Sequence, residues 1–596
     1  MKKNLLKGLS VVATASVVLV GCKSTDWSKV TYTVTPIPME MHGDSVAITV
    51  KGHIPEKAYG PKNTVVLMPS IKWNGGEKAL KTITFDGEKV KEGTGVKVVR
   101  DKGYDFTVTD KVAYEEGMKV SELGGKAVIS KKKKTKDFPL PKLADGTIIT
   151  PRLVMSDEKP IIAKDNFQKI IPVSIEADIN FAMSQTDVRG AEWKADDMKA
   201  LSDFVKNGSA KGFDFKGIAI SSYASPDGEQ DKNANLAQDR GKTSQKELSS
   251  FLKKNKMGAM LETADTMYVD DPKNPGTMKP VIKKGSREAQ FYTQTSTPED
   301  WAGFQSLMQA SNVPDKDMIL RILSTYSDLD KREQEIKNIS KAYTEIAEDI
   351  LPQLRKSKIT VNANKMGKSD EVLTQMSAAT PDSLTIEELL YAATLSNDLN
   401  TKLTIFTHAA RIYPNDWRGH NNMGYVYVMQ NKMSDAEAAF NKAAGAAANN
   451  PIVENNMGIV SIKKGDRKGA EAHYSAASSA GPEANYNMGA INIMNGKYSQ
   501  AVSNYGSENT FNAALAKMLN GDNAGAMSAL DASKDNASAQ GYYLKAVINA
   551  RKNDAAATVT NLKSAFEKDA SLKAKAAEDR EFLKFKDNAD YKAATM

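Results

Sequence analysis

The chain of 596 residues is 41% hydrophobic and 26% charged, with a formal net charge of +8. That balance belongs to a folded protein of several domains and excludes a disordered or low-complexity chain. The charge excess is mild, and the densest basic run, Lys131 to Lys134, has no interleaved aromatics. It reads as a solvated hairpin end, not a nucleic-acid contact.

Residues 1–21 have the form of a leader. Lys2, Lys3 and Lys7 supply a basic start, and Leu9 to Leu19 an apolar run too short to span a bilayer. The run ends in Leu19-Val20-Gly21-Cys22, and Cys22 is the only cysteine, which excludes internal disulfides and cysteine-based metal sites. This ending resembles the lipobox of bacterial lipoproteins. The resemblance implies cleavage before Cys22, acylation of its thiol and anchoring in outer-membrane lipid through buried methylenes. Lys23 follows the cysteine and only one acid, Asp26, comes soon after, which points to the outer membrane and its periplasmic face.

Residues 22–165 read as β. Short runs such as Tyr32–Thr35, Val46–Val50, Val65–Met68 and Phe106–Val108 are separated by turn residues, among them Gly43, Gly75-Gly76 and Gly124-Gly125. Strands of this length and spacing predict a sandwich.

A strand, turn and helix follow around Ile218 to Leu252. Pro226-Asp227-Gly228 is the turn, and Gly228, Asn233, Leu236 and Arg240 stand at the spacing of the peptidoglycan-binding signature of OmpA-like domains. In a departure from the family, the capping residue, proline and acids of Thr297-Pro298-Glu299-Asp300 open a helical insertion, after which Ile359–Asn362 supplies a returning strand. The resemblance implies an α+β domain over 166–365. It also implies a ligand site built from Arg240, Asn233, Ser225 and Asp227, in which an arginine and an aspartate grip a diaminopimelate side chain of peptidoglycan. Here Ser225 stands at the aspartate's position and Gly241 replaces the alanine after the arginine. A serine offers a neutral hydrogen bond where the family offers a charge, so wall binding is expected to be weak or absent.

Residues 366–382 read as a linker and 383–574 as a helical repeat. Asn422-Met423-Gly424, Asn456-Met457-Gly458 and Asn487-Met488-Gly489 recur with small and aromatic residues in phase behind them, as in Ala436, Phe440 and Ala443, and Ala470, Tyr474 and Ala477. The pattern resembles tetratricopeptide (TPR) repeats, about six units, closed by a charged tail over 575–596. The resemblance implies a concave groove in which Asn422, Asn456 and Asn487 hydrogen-bond the backbone of a bound protein segment, with Tyr425 and Lys463 on the same surface. An alternative is that these asparagines bridge neighbouring helices.

The fold class is thus multidomain: a β-sandwich-like region, an OmpA-like α+β domain with an insertion, and a C-terminal α-solenoid. No phosphate loop, metal-ligand motif or nucleophile elbow occurs. No catalytic residue, metal ligand or cofactor is therefore assigned. The leading expectation is a non-enzymatic, lipid-anchored envelope protein that links the outer membrane, peptidoglycan and a protein partner held by the repeats, with no nucleic-acid partner. Two alternatives are a pure protein-binding scaffold with a degenerate OmpA-like domain, and an envelope enzyme acting on glycans.

Overall fold

Alternation along the strands builds the N-terminal part. In Ser45–Ile54 the side chains of Val46, Ile48, Val50 and Ile54 are buried while their neighbours face outward, the two-residue period of a half-buried strand. The computed structural model describes residues 25–258, 262–270, 278–286 and 288–595, so the leader and Cys22 lie outside the described residues. One sheet runs in the order Thr31–Thr35, Ser45–Ile54, Met39–His42 and Thr147–Ile148, with Tyr104–Ala113 also paired to Ser45–Ile54. The other runs Lys134–Pro139, Ser121–Lys131, Thr64–Trp73, Ile83–Gly87 and Val96–Val98, with Gly76–Ala79 and Ala144–Asp145 at its margins. Val46 and Ile48 of the first sheet share one core with Val65, Leu67 and Ile71 of the second, and the rings of Phe85 and Phe106 meet at 5.0 Å. The expected sandwich is therefore a pair of facing sheets. The lysine run forms the exposed turn between Ser121–Lys131 and Lys134–Pro139, with Lys132 at φ 54°.

The chain divides into two compact units. One joins the residues up to Lys164 with those from Ser396 onward; the other is Asp165–Leu395. The second is thus inserted in sequence within the first. Its sheet has the order Ile170–Asn180, Lys356–Met366, Asp214–Tyr223, Tyr292–Thr297. The returning strand, Lys356–Met366, lies in the middle and is antiparallel to both neighbours, whereas Tyr292–Thr297 is parallel to Asp214–Tyr223. Helices Asp196–Ala210 and Gln230–Lys254 cover the sheet through Met198, Leu201, Val205, Leu248 and Leu252. Glu262–Asp270 and Met278–Ser286 form an antiparallel hairpin.

Two expectations shift here. The insertion's first helix is Trp301–Ala310, capped by Asp300, whose carboxylate accepts from the Gly303 amide at 2.8 Å. It begins one turn later than the Thr297 start because Tyr292–Thr297 is taken by the sheet, where backbone pairing satisfies its polar groups. The stretch 366–382 is also more than a linker. Ser369 caps helix Asp370–Ala379, which buries Leu373 and Ser377 inside the second unit.

In the first unit, residues from Ser396 form helix Leu399–Ile412 and then antiparallel helix pairs: Trp417–Met429 with Met433–Ala446, Pro451–Lys463 with Arg467–Ala476, Pro482–Met494 with Tyr498–Tyr505, Phe511–Leu519 with Asn523–Asp531, and Ala539–Arg551 with Ala555–Lys568. The recurring glycine and aromatic explain each other. A Cβ on Gly424, Gly458 or Gly489 would stand 2.3, 2.5 or 2.8 Å from the ring of Phe440, Tyr474 or Tyr505. Each first helix gives up its side chain so that a buried ring of the second helix can lie against its backbone. The C-terminal part is thus a helical repeat array with the two-helix unit of TPR proteins. Residues 575–595 close it with Arg580–Phe585 and Ala589–Thr595, burying Phe582, Phe585 and Tyr591.

The sandwich and the array pack within this unit. Lys119 pairs with Glu578 at 2.7 Å, Asp44 with Arg467, and Tyr498 donates to the Met41 carbonyl at 3.4 Å.

Gly458→Val is expected to lower stability by about 1–3 kcal/mol, since the Tyr474 ring must leave its rotamer. Gly445→Ala, where a Cβ meets nothing within 4 Å, is expected to be neutral or slightly stabilising. Thermal melts of the two variants check both.

Candidate functional site

The first helices of four pairs carry asparagines on one face: Asn421 and Asn422, Asn455 and Asn456, Asn487, and Asn512. All six are at most 1% exposed. A buried primary amide has two donors and an acceptor to satisfy, and leaving them unpaired costs more than the bonds gain. Here the partner is the chain itself. Residues 155–163, which leave the sandwich before the second unit begins, run as an extended strap along the groove.

The strap is clamped at four residues, the last three of them alternate. Asn422 accepts from the Ala163 amide at 2.7 Å and donates to its carbonyl at 2.9 Å. Asn456 treats Ile161 the same way at 2.8 and 2.7 Å, Asn487 treats Lys159 at 2.8 and 3.0 Å, and Asn512 treats Met155 at 2.8 and 2.8 Å. Each amide thus reads a backbone N–H and C=O together, which fixes its orientation. The strap runs opposite to the array, its first residue on the fourth pair and its last on the first.

A second tier reinforces the first. Asn421 donates to the Ile161 carbonyl at 3.2 Å and Asn455 to that of Lys159 at 3.1 Å. The tiers are cross-linked: Asn456 donates to Asn421 at 3.0 Å and Asn487 to Asn455 at 2.9 Å. The two-residue step from Ala163 to Ile161 to Lys159 follows from an extended chain, in which alternate residues present their polar groups to one side. Pro160 has no N–H and sits between two clamped residues, so nothing is lost there. It also holds Lys159 extended.

Side chains set the register between Lys159 and Met155, where the step is four residues. The Asp157 carboxylate accepts from Asn512 at 2.7 Å and from the Tyr486 hydroxyl. Glu158 pairs with Lys463 at 2.7 Å, and Lys463 also donates to the Ser156 hydroxyl. The Lys159 ammonium lies 3.8 Å over the Tyr486 ring and 3.1 Å from Glu508. Burial, and to a lesser degree the neighbouring Glu158, pushes the Asp157 carboxyl above its ordinary range. Burial and Asp157 likewise push the Tyr486 phenol up.

The three asparagines expected in the groove are therefore in it and bind an extended backbone, but that backbone is the chain's own. Lys463 lines the same surface. Tyr425 is half-buried on the helix of Asn422 and makes no hydrogen bond to the strap among the described residues. Sequence reasoning missed the strap and the second-tier Asn421 and Asn455. It also missed Asn512, although Asn512-Ala513-Ala514 stands in phase with the earlier Asn-x-Gly triplets.

The residues carried over for peptidoglycan are held differently. Arg240 is 1% exposed and its guanidinium donates to the carbonyls of Tyr223 (3.0 Å), Gln185 (3.1 Å) and Ala182 (3.4 Å), with the Phe181 ring 5.2 Å away. Burial, with Arg355 nearby, brings it down to about 10, so it stays cationic at neutral pH. Asp227 pairs with Arg355 at 2.9 Å, and Ser225 accepts from Arg355 at 3.0 Å while donating to Asp227. Asn233 donates to the carbonyls of Ser225 at 3.3 Å and Gly228 at 3.5 Å. Glu333 of the insertion accepts from the Gly228 amide at 2.9 Å and is neutralised by Lys337. The four residues do gather around the turn. Their polar groups bond one another, backbone carbonyls and Arg355.

No family model matches the chain, and no curated protein matches it. Solved structures similar to part of it include YrrB, titled a TPR protein with an unusual peptide-binding site, at 18% identity over 34% of this chain and 94% of that one, TM-score 0.21. PilF of Pseudomonas aeruginosa is 16% identical over 37% of this chain and 99% of its own, TM-score 0.27. A tetratricopeptide repeat protein of Parabacteroides merdae is 15% identical over 42% and 98%, TM-score 0.26.

Changing Asn422 and Asn456 together to Ala is expected to speed hydrogen exchange at the Ile161 and Ala163 amides at least tenfold while the array's helices stay protected. Exchange mass spectrometry reads both. Asp157→Asn is expected to hold the strap as well as or better than the parent at neutral pH. The folded pKa of Asp157 lies above its unfolded value. Its neutral form therefore favours docking fully below the unfolded value, and that contribution is lost as pH rises through the folded one. The variant should remove this part of the pH dependence, measured as strap protection from acid to neutral pH.

Proposed function

We propose that this chain is a non-enzymatic, lipid-anchored scaffold of the bacterial envelope whose helical array holds extended protein segments. The observation that carries the reading is the asparagine ladder, which binds four strap residues by their backbone N–H and C=O alone. Such a clamp selects an extended conformation, not a sequence, and is built for holding a polypeptide. The Leu19–Cys22 ending of the leader supports the anchor at Cys22 in outer-membrane lipid.

In the second unit, the β-α-β-α-β order with a late central strand is compatible with the OmpA-like resemblance. The internal bonding of Arg240 and Asp227 favours a wall-independent role for it. Arg240→Ala is therefore expected to cost stability, about 1–3 kcal/mol for each carbonyl left unpaired, without changing the sedimentation of the protein with purified sacculi.

A photocrosslinking residue at Tyr425, beside the ladder yet free of hydrogen bonds to the strap, tests the scaffold reading in cells. A discrete adduct with an extended segment of another protein is expected, and its absence argues against a groove partner. Cys22→Ser is expected to release the protein from the outer-membrane fraction. Unchanged fractionation would remove the anchor.

A further inference from the structure

The strap's side-chain contacts are more selective than its backbone clamps. Each falls on a groove residue of the array: Asp157 on Tyr486 and Asn512, Glu158 on Lys463, and Lys159 on the Tyr486 ring and Glu508. The strap belongs to no helix or sheet, so its polar backbone is satisfied at Met155, Lys159, Ile161 and Ala163 by side chains of the groove. An outside segment with the same groups could make the same bonds.

We propose that the groove is an exchangeable site for an extended acidic peptide of a partner protein, and that the strap is its built-in competitor. This rests on the reading of the array as a holder of polypeptide and adds the ligand's chemistry. The ligand carries a side-chain oxygen acceptor, carboxylate or amide, for Tyr486 and Asn512, followed by an acid for Lys463. A cation follows for the Tyr486 face and Glu508. Free N–H groups are needed at the four clamped positions, and a proline is tolerated directly after the cation. A tethered strap competes at an effective concentration on the order of millimolar, so a free peptide of equal intrinsic affinity barely binds until the strap is weakened.

The probe is a fluorescent peptide of residues 153–165, titrated by anisotropy into the full chain, into Ile161→Pro/Ala163→Pro, which removes two clamped N–H groups, and into Glu158→Lys, which sets two cations together at Lys463 and leaves the clamps intact. Binding at least tenfold tighter to the strap variants than to the parent is expected. A peptide with Asp157 and Glu158 changed to Ala should bind the variants at least tenfold more weakly than the parent peptide does. Equal binding of the parent peptide to all three proteins overturns the competitor, and equal binding of the two peptides overturns the acidic preference. Loss of the array's melting transition in both variants also overturns the proposal, because the strap is then integral to the fold. A Tyr425 adduct with a non-acidic segment in cells would leave the scaffold reading standing and sink only this refinement.

Discussion

The first unit depends on one constraint: six buried asparagine amides must be hydrogen-bonded. An array of helix pairs cannot do this alone, because its own backbone groups are already spent in the helices. An extended chain can, since alternate residues offer an N–H and a C=O to the same side. The strap is therefore what permits polar residues at the concave surface to be as buried as the core. It also ties the sandwich to the array, because it is the sandwich's own exit segment. Fixing it costs conformational entropy, which two anchored ends, Pro160 and the side-chain pairs at Asp157, Glu158 and Lys159 all reduce.

The second unit repeats the theme in different chemistry. The turn Pro226-Asp227-Gly228 gathers charged and polar groups as a ligand site would. Its cation and anion, Arg355 and Asp227, neutralise each other, and Glu333 of the insertion takes the Gly228 amide. Buried charges require such partners. Each of the two sites singled out from sequence motifs is thus filled from within the chain. At the groove the filling is a peptide, so what it displays is a binding mode. At the turn the filling is a network of side chains and backbone carbonyls around Arg240 and Arg355.

Much was legible in the sequence where local rules act. Alternating strands gave the sandwich, the Pro-Asp-Gly turn and the amphipathic helices gave the centre of the second unit, and Asn-x-Gly triplets with phased aromatics gave the repeat array. The glycine–aromatic pairing is a short-range consequence of two helices packing. The parallel strand Tyr292–Thr297 was hidden because its exposed, threonine-rich run carries no apolar alternation. Helix Asp370–Ala379 was hidden because glycine and proline flank it closely.

By itself the sequence determined which residues could bind a backbone, since position in a helical repeat decides which side chains face the groove. Periodicity marked Asn422, Asn456 and Asn487 as equivalent positions, and the resemblance to tetratricopeptide repeats implied their place in the groove. What they bind was decided only by tertiary structure. The strap lies between 259 and 357 residues away along the chain, and no local preference marks an extended, mixed-charge segment as a ligand. Likewise Arg240 is a legible motif residue, but whether its guanidinium faces a ligand or three carbonyls depends on how the chain from Phe181 to Gln185 closes over it. Contacts of that range are set by which burial leaves no polar group unpaired, a condition on the whole fold.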